Sequence, residues 1–370
     1  REVAREGIVL LKNEGVLPLK KNIGSIAVIG PNADMMYNQL GDYTAPQERE
    51  EIVTVLDGIR KAVSPSTKVN YVKGCAIRDI TTSNIPAAVE AARAADAVVL
   101  VVGGSSARDF KTKYIGTGAA DVSNDGNQLL SDMDCGEGYD RSTLRLLGDQ
   151  EKLLEAVAAT GKPLVVIYIQ GRTLNMNLAS EKAQALLTAW YPGEQGGAAI
   201  ADVLFGDYNP AGRLPVSVPR SEGQLPLFYS QGKQRAYVEE EGTPLYAFGY
   251  GLSYTKFDYS QLELQKGNGK DVLQTVSCTV TNTGDCDGEE VVQLYICDKV
   301  ASVSQSPILL KAFERISLKK GESKKVTFTL GEEELSLYNM EMKQVVEPGD
   351  FKVMVGAASD DIRLEGEFTL

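Results

Sequence analysis

The segment Asp134-Cys135-Gly136-Glu137-Gly138-Tyr139-Asp140-Arg141-Ser142-Thr143-Leu144 sets a glutamate between two glycines, with a tyrosine, an aspartate and an arginine within four residues. Glycine flanks leave the backbone little steric constraint and let it come close to a ligand, so Glu137 is presented as a general acid would have to be. The plainer reading is a solvated surface loop in which Asp140 and Arg141 form a local salt bridge, and on spacing alone that is the commoner outcome. A second candidate is Gly41-Asp42-Tyr43-Thr44-Ala45-Pro46, where Tyr43 could stack on a sugar while Asp42 accepts its hydroxyl protons. A turn with a packed tyrosine is the ordinary alternative there.

Other chemistries fall away on composition. The 370 residues contain no histidine, which removes Ser-His-Asp and Cys-His catalysis and imidazole metal sites from this chain. Proton transfer is left to carboxylates, tyrosines, lysines and thiols. The five cysteines (Cys75, Cys135, Cys278, Cys286, Cys297) are scattered without a C-x-x-C pair, so neither a zinc ribbon nor a disulfide-dense scaffold is indicated. Cys135 has no histidine or second thiol to activate it and reads as structural. Gly103-Gly104-Ser105-Ser106 lacks the spacing of a phosphate loop, and the glycines of Pro192-Gly193-Glu194-Gln195-Gly196-Gly197 suit close packing of a helix on a strand better than a cofactor. A net charge of −12 argues against nucleic acid and anionic membrane, and no apolar run approaches the roughly 20 residues that span a bilayer.

The elements that must position these residues follow from periodicity. Between residues 25 and 205, short β-branched runs alternate with helical segments, the pattern of a mainly parallel sheet in a three-layer α/β/α sandwich. Strands are expected at 25–30, 68–72, 97–102, 164–169 and 185–190, and helices at 52–63, 86–95 and 150–159, the last capped by Asp149 and closed by Gly161. Residues 1–12 read as the inside of an amphipathic helix stopped by Asn13-Glu14-Gly15, and a chain opening on Arg1 suggests that something upstream has been removed. Two connections, 31–51 and 103–148, are too long for mere linkers. Both leave the carboxyl ends of parallel strands, where open α/β sheets hold their ligands. They carry Asp42, Tyr43 and Glu137.

From 209 to 259 the composition turns to Pro, Gly, Tyr and Phe, an extended and aromatic-anchored crossing. Beyond it the pattern has period two: Val276, Cys278 and Val280 share a face, as do Val292, Leu294 and Ile296, then Val326, Phe328 and Leu330, then Phe351, Val353 and Val355. Turn signals separate these runs, which predicts an antiparallel β-sandwich. The expected organisation is an α/β domain over 1–222, a linker over 223–268 and a β-sandwich over 269–370.

Taken together these segments resemble glycoside hydrolase family 3, specifically its β-glucosidase and β-xylosidase members. The likeness is carried in order by Ala4-Arg5-Glu6-Gly7-Ile8-Val9-Leu10-Leu11-Lys12-Asn13, Gly136-Glu137-Gly138-Tyr139-Asp140-Arg141, Trp190-Tyr191-Pro192-Gly193-Glu194-Gln195-Gly196-Gly197, Asn209-Pro210-Ala211-Gly212-Arg213-Leu214-Pro215 and Phe248-Gly249-Tyr250-Gly251-Leu252-Ser253-Tyr254. The resemblance implies a barrel, an α/β sandwich and a fibronectin type III-like (immunoglobulin-like) domain in the whole enzyme, of which this chain looks like the last two. It further implies that Glu137 is the acid/base, that Tyr43 with Asp42 lines the sugar site, and that the nucleophilic aspartate belongs to the barrel. The implied substrate is an oligosaccharide or aryl β-glycoside with a terminal glucose or xylose, with no cofactor and no metal, in an exported bacterial enzyme that is periplasmic or surface-associated. In such a retaining reaction the two carboxyl groups lie about 5 to 5.5 Å apart. The competing reading is a non-catalytic carbohydrate-binding or scaffolding module.

Overall fold

The computed structural model describes residues 1–45, 47–107, 116, 132–136, 138–232 and 236–370. The chain divides into two units, Arg1–Gly212 with Arg220–Gly223, and Arg213–Pro219 with Gln224–Leu370.

The first unit is built on strands β1 (Val9–Asn13), β2 (Ser25–Ile29), β3 (Lys68–Val72), β4 (Ala97–Gly103), β5 (Leu164–Ile169) and β6 (Ala185–Trp190), in the order β1-β6-β5-β4-β2-β3. All neighbours are parallel except β1, which runs antiparallel to β6 at the edge. Helices α1 (Glu2–Gly7), α2 (Val55–Ala62) and α6 (Gly196–Phe205) pack with one another on one face, and α3 (Ile85–Ala94), α4 (Gln150–Ala158) and α5 (Asn177–Lys182) on the other. Strand β4 is buried along its whole length, as a strand covered on both faces must be.

The five parallel strands lie where periodicity expects them. The amino terminus does not. Its helix ends at Gly7, and after Ile8 the chain continues as the edge strand from Val9, with Ile8, Val9, Leu10 and Leu11 all buried. One face of a helix cannot bury four consecutive residues, whereas an edge strand between two helical layers can. Helix α2 begins at Val55, later than expected, because Thr54 and Asp57 form a capping box. Asp149 precedes α4 but does not cap it: its carboxylate accepts from Ser83 and Lys152 instead.

Of the glycines at 193–197, Gly197 is pressed against a helix rather than a strand. A Cβ on Gly197 would lie 1.8 Å from the Thr54 carbonyl oxygen, and one on Gly58 would lie 2.0 Å from the Gly197 carbonyl oxygen. Helices α2 and α6 therefore touch backbone to backbone.

The second unit pairs a sheet of order β10-β9-β14-β15 with one of order β11-β8-β7, plus a hairpin of β12 (Leu337–Tyr338) and β13 (Gln344–Val345). Their strands are β7 (Phe257–Lys266), β8 (Gln274–Asn282), β9 (Gly288–Asp298), β10 (Leu309–Leu318), β11 (Ser323–Leu330), β14 (Asp350–Ala358) and β15 (Asp361–Thr369). The four period-two faces read from the sequence all lie in its core. The stretch 223–268, expected as a linker, contains β7, which pairs antiparallel with β8.

Candidate functional site

The strand order fixes where a ligand belongs. The chain leaves β2 for β3 on one side and returns to β4 on the other, so the order of connection reverses between the parallel strands β2 and β4, and open α/β sheets hold their ligands at the carboxyl ends of such a switch point. The two long connections, 31–51 and 103–148, depart from those two ends.

The first connection is well tied. A short 3₁₀ turn, Met36–Gln39, follows β2. The Tyr37 hydroxyl donates to the Gln47 carbonyl and accepts from the Gln47 N–H. Arg49 bridges Asp34 and Asp57 at 2.9 and 2.8 Å, which fastens the returning chain to α2. Asp57 is held below the ordinary aspartate range: burial opposes this, but hydrogen bonds from Arg49 and Thr54 outweigh it.

A buried polar chain joins the two connections. The Asn32 amide donates to the carbonyls of Gly104 (3.0 Å) and Ile169 (3.3 Å), and Asn38 donates to Asn32 at 2.8 Å. Asn38 in turn accepts from the Ser105 hydroxyl at 2.7 Å. The Ser105 N–H then donates to Asp134 at 2.6 Å, and the Asp134 N–H returns to the Ser105 carbonyl. The backbone donor that a phosphate loop would offer is thus already taken by a carboxylate, in keeping with the rejection of Gly103-Gly104-Ser105-Ser106 as an anion site.

Asp134 also accepts from Arg141 at 2.6 Å, with both side chains at or below 5 % exposure. Asp140 pairs instead with Arg172, at 2.8 Å, and is 86 % exposed. The local Asp140–Arg141 bridge considered from sequence therefore does not form between side chains. Arg172, then the Arg141 N–H, hold the Asp140 carboxyl below its usual range. Between Asp134 and Arg141, Gly136 and Tyr139 form a bridge, and Gly136 and Gly138 have φ of +127° and +77°. These are left-handed values that favour glycine. Glu137 lies outside the described residues, as does Pro46.

Asp42 comes against this turn. A Cβ on Gly136 would lie 2.8 Å from the Asp42 Oδ2, so the glycine before Glu137 leaves room for the Asp42 carboxylate. Tyr43, next in sequence, is 66 % exposed with φ +55°, so it is not the packed turn tyrosine of the ordinary alternative. An exposed aromatic beside a carboxylate suits a sugar, whose faces carry C–H groups and whose rim carries hydroxyls.

One participant escaped the sequence reading. Tyr191 follows β6, and its ring fills the space above Gly41 and Gly171, where added Cβ atoms would fall 2.9 and 2.5 Å from it. Its hydroxyl shares a 3.2 Å hydrogen bond with the Cys135 thiol. Burial pushes the Cys135 thiol up to about 11, with Asp134 adding to the shift, so the group is neutral and inert as expected of a structural cysteine. Burial, and then the bond to Cys135, also raise Tyr191. Trp190 beside it has φ +53°, an unusual backbone for a bulky residue. Aromatic residues just past a strand end, next to a Pro-Gly, were the available signal. Among the described residues no carboxylate, thiol or imidazole cluster could hold a metal ion, and no helix is long and apolar enough to cross a membrane.

Residues 8–254 match the glycosyl hydrolase family 3 C-terminal domain, and residues 290–359 match a fibronectin type III-like domain. Among curated relatives, a β-xylosidase of Formosa agariphila is 43 % identical over 98 % of the chain, and a periplasmic β-glucosidase of Salmonella typhimurium is 40 % identical over all of it. The chain spans 48 % and 49 % of those two proteins. Among solved structures, a β-glucosidase from Erythrobacter marinus is 36 % identical with a TM-score of 0.86, and the chain covers 50 % of it. A Listeria innocua β-glucosidase, solved in complex with glucose, is 30 % identical with a TM-score of 0.84, and the chain covers 48 % of it.

Proposed function

The chain belongs to glycosyl hydrolase family 3, carrying its C-terminal domain and a fibronectin type III-like domain, and on that premise we propose that it is the acid/base half of a retaining, exo-acting β-glucosidase or β-xylosidase. The observation that carries the reading is the approach of Asp42 to Gly136, the residue before Glu137, at the carboxyl ends of β2 and β4. Two connections that are far apart in sequence converge there, one with Asp42 and the other with the glycine that precedes Glu137, which supports reading them as parts of one site.

In the proposed reaction the Glu137 carboxyl gives its proton to the departing glycosidic oxygen while a carboxylate outside these 370 residues attacks the anomeric carbon. The aglycone leaves, and a glycosyl-enzyme ester remains. Glu137, now ionised, takes a proton from a water molecule as that water attacks the same carbon. The ester breaks, the sugar departs with retained configuration, and both carboxyl groups return to their starting forms. Tyr43 and Asp42 would hold the sugar. The proposal extends to export, in keeping with the periplasmic β-glucosidase of Salmonella typhimurium; finding the full-length product only in the cytoplasmic fraction would overturn that extension.

The test uses the full-length protein. Glu137→Ala should lower kcat/KM on unactivated β-glycosides by about 10²- to 10⁴-fold, the usual worth of general acid–base catalysis. It should lose far less on a dinitrophenyl glycoside, whose leaving group needs no proton. Azide should raise kcat on that substrate and yield a glycosyl azide. Equal losses on both substrates with no azide product would assign the acid elsewhere.

A further inference from the structure

We propose that Arg141 is a positioning residue for acid/base catalysis: its buried ion pair with Asp134 closes the base of the turn that carries Glu137. The inference rests on the functional reading above and adds to it the group that sets where the acid stands.

The geometry is that of a staple. Asp134 and Arg141 enter and leave the turn, and their side chains meet at 2.6 Å beneath it. Above the staple, Gly136 and Tyr139 bridge across the turn, and the Tyr139 N–H donates to the Gly136 carbonyl at 3.0 Å. One end of the staple is anchored. Asp134 exchanges backbone and side-chain hydrogen bonds with Ser105, Ser105 with Asn38, Asn38 with Asn32, and Asn32 with the ends of the central strands at Gly104 and Ile169. The sheet therefore reaches the turn through short, buried side chains with few rotamers. Arg141 is the long side chain that brings the far end of the turn back to that anchor, and it also donates to the Arg145 carbonyl.

Energetics separates this role from simple stabilisation. A buried ion pair adds little net stability over apolar residues of similar size, because desolvating the charges offsets most of their attraction. What the pair supplies is a single geometry: the planar guanidinium forms directional bonds to Asp134 and to the Arg145 carbonyl at once. Acid catalysis needs that geometry, since a displacement near 1 Å at a reacting group costs on the order of 10²-fold in rate. The exposed Asp140–Arg172 pair stands one residue away and has neither the burial nor the anchor.

The experiment compares leaving groups in the full-length protein. Arg141→Met, and a double variant Asp134→Leu with Arg141→Met that leaves no lone buried charge, are assayed for kcat/KM on a phenyl and a dinitrophenyl β-glycoside, with thermal unfolding recorded. Displacing the acid should cost about 10²-fold on the phenyl substrate and only a few-fold on the dinitrophenyl one, with the double variant keeping its melting transition. Arg141→Lys should recover part of the loss. Equal losses on both substrates, no loss in the double variant, or failure of both variants to fold would overturn the proposal. Glu137→Ala run alongside separates the two claims. If it discriminates between leaving groups and the Arg141 variants do not, the positioning role alone falls; if it does not discriminate, the assignment of Glu137 falls and the positioning role with it.

Discussion

Both units of the protein bury an arginine–carboxylate pair, and the two pairs do different work. In the α/β unit, Asp134 and Arg141 stand seven residues apart and close one turn. In the sandwich unit, Arg213 and Glu290 stand 77 residues apart, pair at 3.1 Å with 9 % and 3 % exposure, and fasten the segment 213–219 to β9. Glu290 also accepts from the Tyr259 hydroxyl on β7 at 3.0 Å, and the Arg363 guanidinium lies 4.7 Å from the centre of the Tyr259 ring. The chemistry is shared, so its consequence depends on what each pair joins. Closing a short turn orders few residues and shapes a site, whereas closing a long separation holds whole segments together.

The strongest way to break that contrast is Glu290→Ala. It leaves the Arg213 guanidinium buried without its carboxylate, and removing one partner of a buried pair costs about 3–5 kcal/mol. The sequence contains a single tryptophan, Trp190, which sits at the end of β6 and so reports the α/β unit. Urea unfolding of Glu290→Ala, followed by circular dichroism, should shift well below wild type while the Trp190 fluorescence transition moves less. Equal shifts in the two signals would mean that the pair does not serve the sandwich in particular.

A smaller effect probes the α/β unit away from its site. Gly58→Ala adds helix propensity worth about 0.5–1 kcal/mol, but its Cβ would lie 2.0 Å from the Gly197 carbonyl oxygen. Backbone cannot move aside as a flexible side chain can, so overpacking wins, at about 1–3 kcal/mol. Here the Trp190 transition should fall first. A variant as stable as wild type would mean that α2 and α6 have slack that their backbone contact does not suggest.

The two units also differ in how far the sequence discloses them. The sandwich core was legible because an antiparallel sheet with one buried face writes its pattern at period two, and every face read from Val276 to Val355 lies in the core. Four of the five parallel strands, β2, β4, β5 and β6, were legible because both their faces are buried, whereas β3 at the edge is partly exposed. The edge strand Val9–Asn13 was not, because its apolar run continues from a real helix, and a window spanning both reads as one amphipathic element. At the site, the glycines around Glu137, the aromatic beside a carboxylate and the length of the two connections marked Asp42, Tyr43 and Glu137 as candidates, and the family resemblance supplied their expected roles. The partners of Arg141 were not legible. Adjacent residues of opposite charge suggest a local pair, and only the burial of Asp134 under the turn decides otherwise. Tyr191 and the Asn32–Asn38–Ser105 chain stayed hidden for the same reason: they meet across separations that no local pattern records.

The smallest effect sharpens the comparison through pH. Tyr259 is raised above the ordinary tyrosine range, first by burial and then by the negative charge of Glu290. A group whose pKa is higher folded than unfolded keeps its proton better in the native state, so its contribution is complete below the unfolded value, near pH 10, and is lost as the pH rises above it. Tyr259→Phe should cost about 1 kcal/mol at pH 7, the worth of one hydrogen bond, because Glu290 keeps Arg213 as its partner. Above pH 10 the variant should lose stability less steeply than wild type, and the two urea midpoints should converge. In the α/β unit the buried tyrosine, Tyr191, shares its hydrogen bond with the Cys135 thiol instead, and Asp134 raises it only after burial and that bond. Parallel slopes for wild type and Tyr259→Phe would show that ionisation of Tyr259 is not coupled to folding, and would reduce the difference between the two pairs to their sequence separation alone.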